Sequence, residues 1–217
     1  MKVLIISGGS IEEEFAREFL RDHSFDYMIA ADKGLEVCDR LKLRIDYIVG
    51  DFDSILPGLI DQYEEEGTIS IDRYNPVKDY TDTGIAMRKA VEMGADEVYF
   101  IGATGTRLDH SMSNIFCLNY LRERNIRGVI LDPHNRITMP VETSFEIDRT
   151  SQYGKFVSFF PYSEEVTHLT LKGFKYPVTD RSMKKGDEGL FVSNEITDEH
   201  AFVSYDKGIM IMIESRD

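Results

Sequence analysis

Apolar residues in the first 132 positions follow two alternating patterns. Short, nearly unbroken runs make up the first: Lys2–Ser7 (KVLIIS), Tyr27–Asp32 (YMIAAD), the run YIVGD that ends at Asp51, Thr68–Tyr74 (TISIDRY), Glu97–Gly102 (EVYFIG) and Arg127–Asp132 (RGVILD). Their length and apolar continuity predict strands buried on both faces. Between them the spacing becomes helical. Ile11, Phe15 and Phe19 stand at i, i+4 and i+8 behind Ser10, a candidate N-cap, and predict a helix to Arg21. Further helices are predicted over Leu35–Leu41, over Leu59–Glu66, from a Thr81 cap to Met93, and around Leu108, Met112 and Ile115. Strands alternating with helices predict a mostly parallel, Rossmann-like sheet with helices on both faces.

After DPHN (Asp132–Asn135) the helical spacing disappears. SFEIDRT, KFVSFFPYS, THLTLKG, GLFVSNEIT, HAFVSYDKG and IMIMIES follow as short β-like runs separated by Gly, Pro, Asn and Asp. That series predicts an antiparallel sandwich or barrel, of which the β-sandwich is the reading adopted. The fold class is therefore α/β plus all-β, with domains at 1–132 and 133–217. No internal repeat, low-complexity tract or long linker separates them.

Charge narrows the partners. The 217 residues carry a net charge of −14, which argues against nucleic acid as the main ligand. A smaller phosphate ligand on so acidic a chain needs a metal ion, local cations, or both. No apolar run approaches the roughly 20 residues of a membrane-spanning helix. The N-terminal apolar run is followed by acids instead of a cleavage site, so it reads as a strand and the chain as cytoplasmic. Cys38 and Cys117 fall in predicted helices without metal-ligand spacing, and read as reduced, buried thiols.

In an open parallel sheet, ligands bind beyond the carboxyl ends of the strands. Chemistry-bearing residues gather at those ends. Asp32 closes the second strand, Asp51 and Asp53 follow the third, and Asp79, Thr81 and Asp82 precede a helix. Arg107, Asp109 and His110 follow the fifth. Asp32, Thr81 and Asp82 also fit plain turn or capping roles. The D-x-D pair in GDFDS is harder to explain structurally, because two close carboxylates repel unless a cation offsets them. Mg²⁺ suits such a site, since it takes one or two carboxylates together with substrate phosphates. The SGGS and GATGTR loops offer backbone amides for an anion, but neither G-x-G-x-x-G nor a P-loop is present. From these residues alone the reading is a metal-assisted phosphate enzyme. A Mg²⁺-dependent phosphohydrolase, a sugar-nucleotide transferase and a non-catalytic sensor of a nucleotide or another small molecule remain alternatives.

Four motifs in order, GDFDSI, KDYTDTGIAM, GATGTRLDHSMSN and GLFVSNEI, resemble those of bacterial-type thiamine pyrophosphokinases over nearly the whole chain. The resemblance implies transfer of the diphosphate of ATP to the hydroxyl of thiamine, with release of AMP. It implies that Asp51, Asp53 and Asp82 bind Mg²⁺ and the ATP phosphates, with Asp32 in the same nucleotide site. Thr81, Arg107 and Asp109 match the second and third motifs, and Asn114 lies one helical turn beyond His110. Ser193 and Asn194 match the part of the β-rich domain that meets thiamine, and Asp79 lies near the thiamine pocket. The first domain is then the nucleotide- and metal-binding catalytic domain, the second the thiamine-binding domain. A homodimer with the thiamine site between subunits is implied as well. Asp79, Asp82 and Asp109 all remain candidates for the general base. Two positions depart from the family pattern: Gly84 stands where many bacterial members carry Glu, and Thr106 where they often carry Gly. The chain has no Trp, so any aromatic stacking on thiamine falls to Tyr, Phe or another subunit.

Overall fold

All six apolar runs of the N-terminal half are strands in a computed structural model, which describes residues 1–74, 80–105, 107–187, 189 and 191–217. The predicted positions Asp79 and Thr106 lie outside the described residues. The chain divides into two compact units, Met1–Pro133 and His134–Asp217.

The first unit runs β1 (Lys2–Ile6), α1 (Glu13–Asp22), β2 (Tyr27–Ala31), α2 (Gly34–Leu41), β3 (Tyr47–Gly50), α3 (Leu59–Glu66), β4 (Ser70–Arg73), α4 (Asp82–Glu92), β5 (Glu97–Ile101), α5 (Leu108–Arg122) and β6 (Arg127–Leu131). All five strand pairings are parallel, in the order β6-β5-β1-β2-β3-β4. The central strand β1 is the most enclosed: Val3, Leu4, Ile5 and Ile6 are fully buried. Edge strand β4 exposes Ser70 and Arg73. From β1 the chain winds outward to β4, then leaps back to β5 on the other side of β1. Right-handed crossovers then put α1, α2 and α3 on one face and α4 and α5 on the other. The packing of α1 on α2 and of α4 on α5 agrees. The winding reverses beside β1, so the carboxyl ends of β1, β2 and β5 form the crevice expected of such a switch point.

Two predicted details are corrected. Helix α1 is entered through Glu12 and not capped by Ser10, and no side chain caps it. On α5, Leu108, Met112 and Phe116 are exposed, while Ser111, Asn114, Leu118 and Leu121 face inward. The apolar spacing of Leu108 and Met112 thus follows the outer face of α5.

The second unit contains β7 (Asn135–Thr138), β8 (Ser144–Asp148), β9 (Phe156–Pro161), β10 (Glu165–Lys172), β11 (Val178–Lys184), β12 (Asn194–Glu195), β13 (His200–Ser204) and β14 (Met210–Ser215). They form two antiparallel sheets, β12-β9-β14-β7 and β11-β10-β13-β8. Val157, Phe159 and Met210 of the first sheet share one core with Val166, Leu171 and Val203 of the second, as in a β-sandwich. Strands β7 and β11 were not expected from the sequence. The run GLFVSNEIT supplies only the two residues of β12, because Ser193 turns into the left-handed region at φ 55°.

Candidate active site

The two glycine-rich loops at the carboxyl edge of the parallel sheet are fastened to each other. Ser7 N–H donates to Ile101 O (2.9 Å), Gly9 N–H to Gly102 O (2.7 Å) and Ser10 N–H to Thr104 O (2.9 Å). A Cβ on Gly9 would stand 2.3 Å from the carbonyl oxygens of both Gly102 and Thr104, so only glycine permits this approach. The expected anion-binding role of SGGS is revised accordingly. Its Gly9 and Ser10 amides are already donated to carbonyls, and α1 carries Glu13 and Glu14 in its first turn, which opposes an anion there.

These loops form one wall of a cavity of about 900 Å³. The end of β2, the loop after β3 and the first turns of α4 and α5 complete it. Asp32, Asp51, Asp53, Thr81, Asp82, Arg107, His110 and Asn114 all line this cavity. Asp109 is not among its lining residues but pairs with Arg107, which is. Residues separated by up to 82 positions are thus brought together by the parallel topology, as their strand-end placement predicts.

The carboxylates are held in distinct ways. Asp32 follows β2 in the left-handed region (φ 48°), with its amide donating to Val49 O (2.9 Å). Its Oδ2 accepts a hydrogen bond from Ser54 Oγ (3.0 Å), but Oδ1 is buried with no partner among the described residues. Burial pushes the Asp32 pKa up, and the negative charges of Asp82 and Asp51 push it further; the Lys33 amide and Ser54 oppose them. Between Asp51 and Asp53, Phe52 also adopts a left-handed backbone (φ 61°) with its side chain buried. Left-handed backbone is uncommon for a bulky residue and concentrates at functional loops. Here the buried ring anchors the loop from below, while Asp51 stays half-buried and Asp53 exposed.

Helix starts supply the rest. Thr81 caps α4 as predicted, its Oγ1 accepting from Gly84 N–H (3.1 Å), which places Asp82 in the first turn. Buried Thr83 donates to Ser7 Oγ (3.0 Å) and pins α4 to the end of β1. Asn114 is buried and donates to Ala103 O (2.8 Å), so it braces the GATGT loop. Arg107 and Asp109 form a bidentate pair (3.2 and 2.6 Å) in which both side chains are exposed. Hydrogen bonding to Arg107 holds the Asp109 carboxyl down at about 2, so it is a weak base while that pair lasts. Sequence reasoning passed over Lys33, Ser54 and Tyr80, which also line the cavity. Lys33 was legible as a cation directly after a strand-end aspartate; the placement of Ser54 against Asp32 was not.

Among the described residues no group of three His, Cys, Asp or Glu side chains is arranged to hold a metal ion. The donor set still fits a hard divalent cation. It is all carboxylate, it lies open on a cavity, and Asp32 Oδ1 is buried without a partner among the described residues. Mg²⁺ commonly binds through a few carboxylates and completes its shell with water and substrate phosphates.

In the β unit, Asn194 is buried and fully committed. Its Oδ1 accepts from the amides of Tyr176 and Glu195 (both 3.0 Å), and its Nδ2 donates to Tyr176 O (2.8 Å). Ser193 beside it is exposed, with its amide donating to Ser158 Oγ (2.9 Å). Tyr176, clamped by Asn194, is also exposed. The sequence reading named Asn194 and Ser193 but missed Tyr176, whose position between Gly173 and Pro177 was the available signal.

Comparison with known proteins agrees with this geometry. Residues 21–130 match the model of the thiamin pyrophosphokinase catalytic domain, and residues 142–210 that of the thiamin pyrophosphokinase vitamin B1 binding domain. The chain is 37% identical over 170 residues to the thiamine pyrophosphokinase of Bacillus subtilis, covering 77% of each. The crystal structure of thiamine pyrophosphokinase from Bacillus subtilis superposes with a TM-score of 0.87 at 30% identity, covering 100% of both chains. That of the enzyme from Geobacillus thermodenitrificans gives 0.83 at 30% identity, covering 100% of this chain and 98% of the other. Motifs, two-unit fold and matched domains together place the chain in the thiamin pyrophosphokinase family.

Proposed function

We propose that the cavity of the α/β unit is where the chain binds ATP and Mg²⁺, with Asp51, Asp53 and Asp82 as the metal-binding carboxylates and Asp32 as their half-buried neighbour. As a member of its family, the chain transfers the diphosphate of ATP to thiamine. The observation that carries the site assignment is the convergence of four carboxylates, from the ends of β2 and β3 and the start of α4, on one cavity that also presents Lys33 and Arg107. When bound, Mg²⁺ supplies charge neutralisation to the phosphates. The chain's own residues do the positioning, which dominates such transfers. Thr81 and Thr83 fix the start of α4 and so the direction of Asp82. Asn114 holds the loop on which Thr104 and Gly105 face the cavity. Arg107 exchanges its exposed Asp109 partner for a phosphate oxygen. In the β unit, Ser193 contributes to thiamine contact and Asn194 positions it through the Tyr176 backbone. Asp79, assigned to the thiamine pocket from the motif, retains that role as a proposal. The enzyme works as a cytoplasmic homodimer, so light scattering should give twice the 24.9 kDa of one chain.

The test is AMP release from ATP and Mg²⁺, with and without thiamine, with the product weighed by mass spectrometry. Wild type should release AMP only with thiamine and form thiamine diphosphate. Asp51→Asn and Asp53→Asn should each lower kcat by on the order of 100-fold, about 2.7 kcal/mol, without lowering Tm. Wild-type rates in both variants would remove the metal role from these residues.

A further inference from the structure

Tyr80 stands at the rim of the cavity, immediately before the Thr81 cap, with about half of its side chain exposed (51%). It is not loose. The Arg88 guanidinium lies 3.9 Å from the centre of its ring and 4.2 Å from the ring of Tyr120, so the cation is sandwiched between two aromatics. Arg124 covers Tyr120 in turn at 3.5 Å. The result is a ladder, Tyr80–Arg88–Tyr120–Arg124, that ties the entry to α4 to the last turn of α5. Arg88 Nε is buried without a hydrogen-bond partner among the described residues. The guanidinium is flanked by two ring faces, and a partly desolvated cation–π contact is stronger than one at an exposed site.

With Arg88 over one face, a ligand in the cavity that stacks on Tyr80 must take the opposite face. An exposed aromatic beside a cavity, fixed from behind, is already ordered for stacking and loses little entropy when a ligand arrives. The cation behind it also selects. A guanidinium draws π density toward itself and repels a second positive charge, so the open face disfavours the thiazolium ring of thiamine. A neutral, amino-substituted heteroaromatic ring suits it. Two substrate rings have that chemistry: the adenine of ATP and the aminopyrimidine of thiamine.

We propose that Tyr80, held by Arg88 and Tyr120, is a stacking platform for a neutral aminated heterocycle of the substrates. The inference rests on the reading that this cavity is the reaction site. KM for ATP and KM for thiamine are measured separately in wild type, Tyr80→Leu, Tyr80→Phe and Arg88→Met, together with inhibition by inorganic triphosphate. Tyr80→Leu should raise one of the two KM values about 5- to 10-fold, with kcat within about twofold, as for a ring bound equally in ground and transition states. Tyr80→Phe keeps the ring and should keep the wild-type KM. Arg88→Met should raise the same KM by less, and the Tyr80→Leu/Arg88→Met pair by no more than Tyr80→Leu alone, because Arg88 acts through the ring. A rise for ATP with triphosphate inhibition unchanged identifies adenine; a rise for thiamine identifies the aminopyrimidine. The proposal is overturned if Tyr80→Leu leaves both KM values unchanged, if Tyr80→Phe behaves like Tyr80→Leu, or if triphosphate inhibition weakens in step with ATP. Loss of turnover in Asp51→Asn alongside an indifferent Tyr80→Leu removes this proposal alone; retained turnover in Asp51→Asn removes the site reading on which it stands.

Discussion

Asn194 and Glu214 in the β unit are among the most deeply buried polar residues described, and every side-chain oxygen of both accepts a hydrogen bond. Asn194 uses its amide oxygen and nitrogen on the Tyr176 and Glu195 backbone. Glu214, 1% exposed, takes Arg136 on both oxygens and the Tyr153 amide on one of them. Asp32 in the α/β unit is treated differently: one oxygen accepts from Ser54, and the other is buried without a partner among the described residues, beside the like charges of Asp51 and Asp82. A buried polar group with all its partners serves the fold, whereas one left short of a partner stores a penalty that a ligand relieves. The same residue chemistry, a carboxylate with oxygen drawn out of solvent, is framework in one unit and site in the other because of what faces it.

The sharpest way to break this contrast is to take the partner from Glu214. Arg136→Met leaves a charge buried in the β unit and should destabilise the chain by about 3–5 kcal/mol in urea unfolding. Replacing both residues by Leu should recover most of that loss, since a well-packed apolar pair often matches a buried ion pair. If Arg136→Met unfolds at the wild-type denaturant concentration, Glu214 is not the committed framework group its contacts indicate.

The complementary change in the α/β unit should have the opposite sign. Asp32→Asn removes a charge that the ligand-free chain holds at a cost, and Asn tolerates the left-handed backbone at this position. It should stabilise the free chain at neutral pH on the order of 1 kcal/mol, as relief of a functional site commonly does, while lowering turnover. The sign with pH follows from the direction of the shift. A carboxyl whose folded pKa is raised opposes folding while ionised, so the Asn variant's advantage is full above the raised value. It fades as the pH falls to the ordinary carboxylate range, where Asp32 is protonated in both states. Thermal melts of both forms from neutral to acidic pH measure this. A variant less stable than wild type at neutral pH would mean that Asp32 is framework after all.

The same contrast explains what could be read before the structure. Alternating buried runs and helical spacing made the parallel sheet legible, because every strand but the edge strand β4 is largely buried and carries its own apolar signal. The convergence of Asp32, Asp51, Asp53, Asp82 and Arg107 was legible too, since parallel topology puts every strand's carboxyl end on one rim. Contacts that depend on the folded neighbour were not. The SGGS amides look available in sequence, yet in the structure Gly9 and Ser10 donate to the carbonyls of Gly102 and Thr104. Strand β11 escaped notice because VTDRSMK buries little beyond Met183, and its pairing with β10 shifts register where His168 and Asp180 adopt left-handed backbone. The outward-facing stripe on α5 mimicked a core stripe, because Leu108 and Met112 have core spacing whichever way the helix is turned.

The smallest expected effect concerns the pair at the start of α5, and it decides whether Arg107 belongs to framework or site. Both side chains are solvent-exposed, so Arg107→Met should leave the Tm at neutral pH essentially unchanged. What should move is the Asp109 titration. Arg107 and the His110 amide hold that carboxyl at about 2, so in wild type it stays ionised through the ordinary carboxylate range. A depressed folded pKa adds stability above the unfolded value and loses it as the pH falls toward about 2, so any acid sensitivity from this pair lies at that extreme. In Arg107→Met the Asp109 midpoint, followed by carboxyl carbon NMR, should climb toward the ordinary value. The informative comparison is wild type with and without a non-hydrolysable ATP analogue and Mg²⁺. If Arg107 leaves Asp109 for a phosphate, nucleotide binding alone should raise the Asp109 midpoint, moving it in the direction of the Arg107→Met variant. If the midpoint stays at its ligand-free position, Arg107 remains on Asp109 in the complex, and its phosphate role passes to Lys33, which among the described residues also lines the cavity.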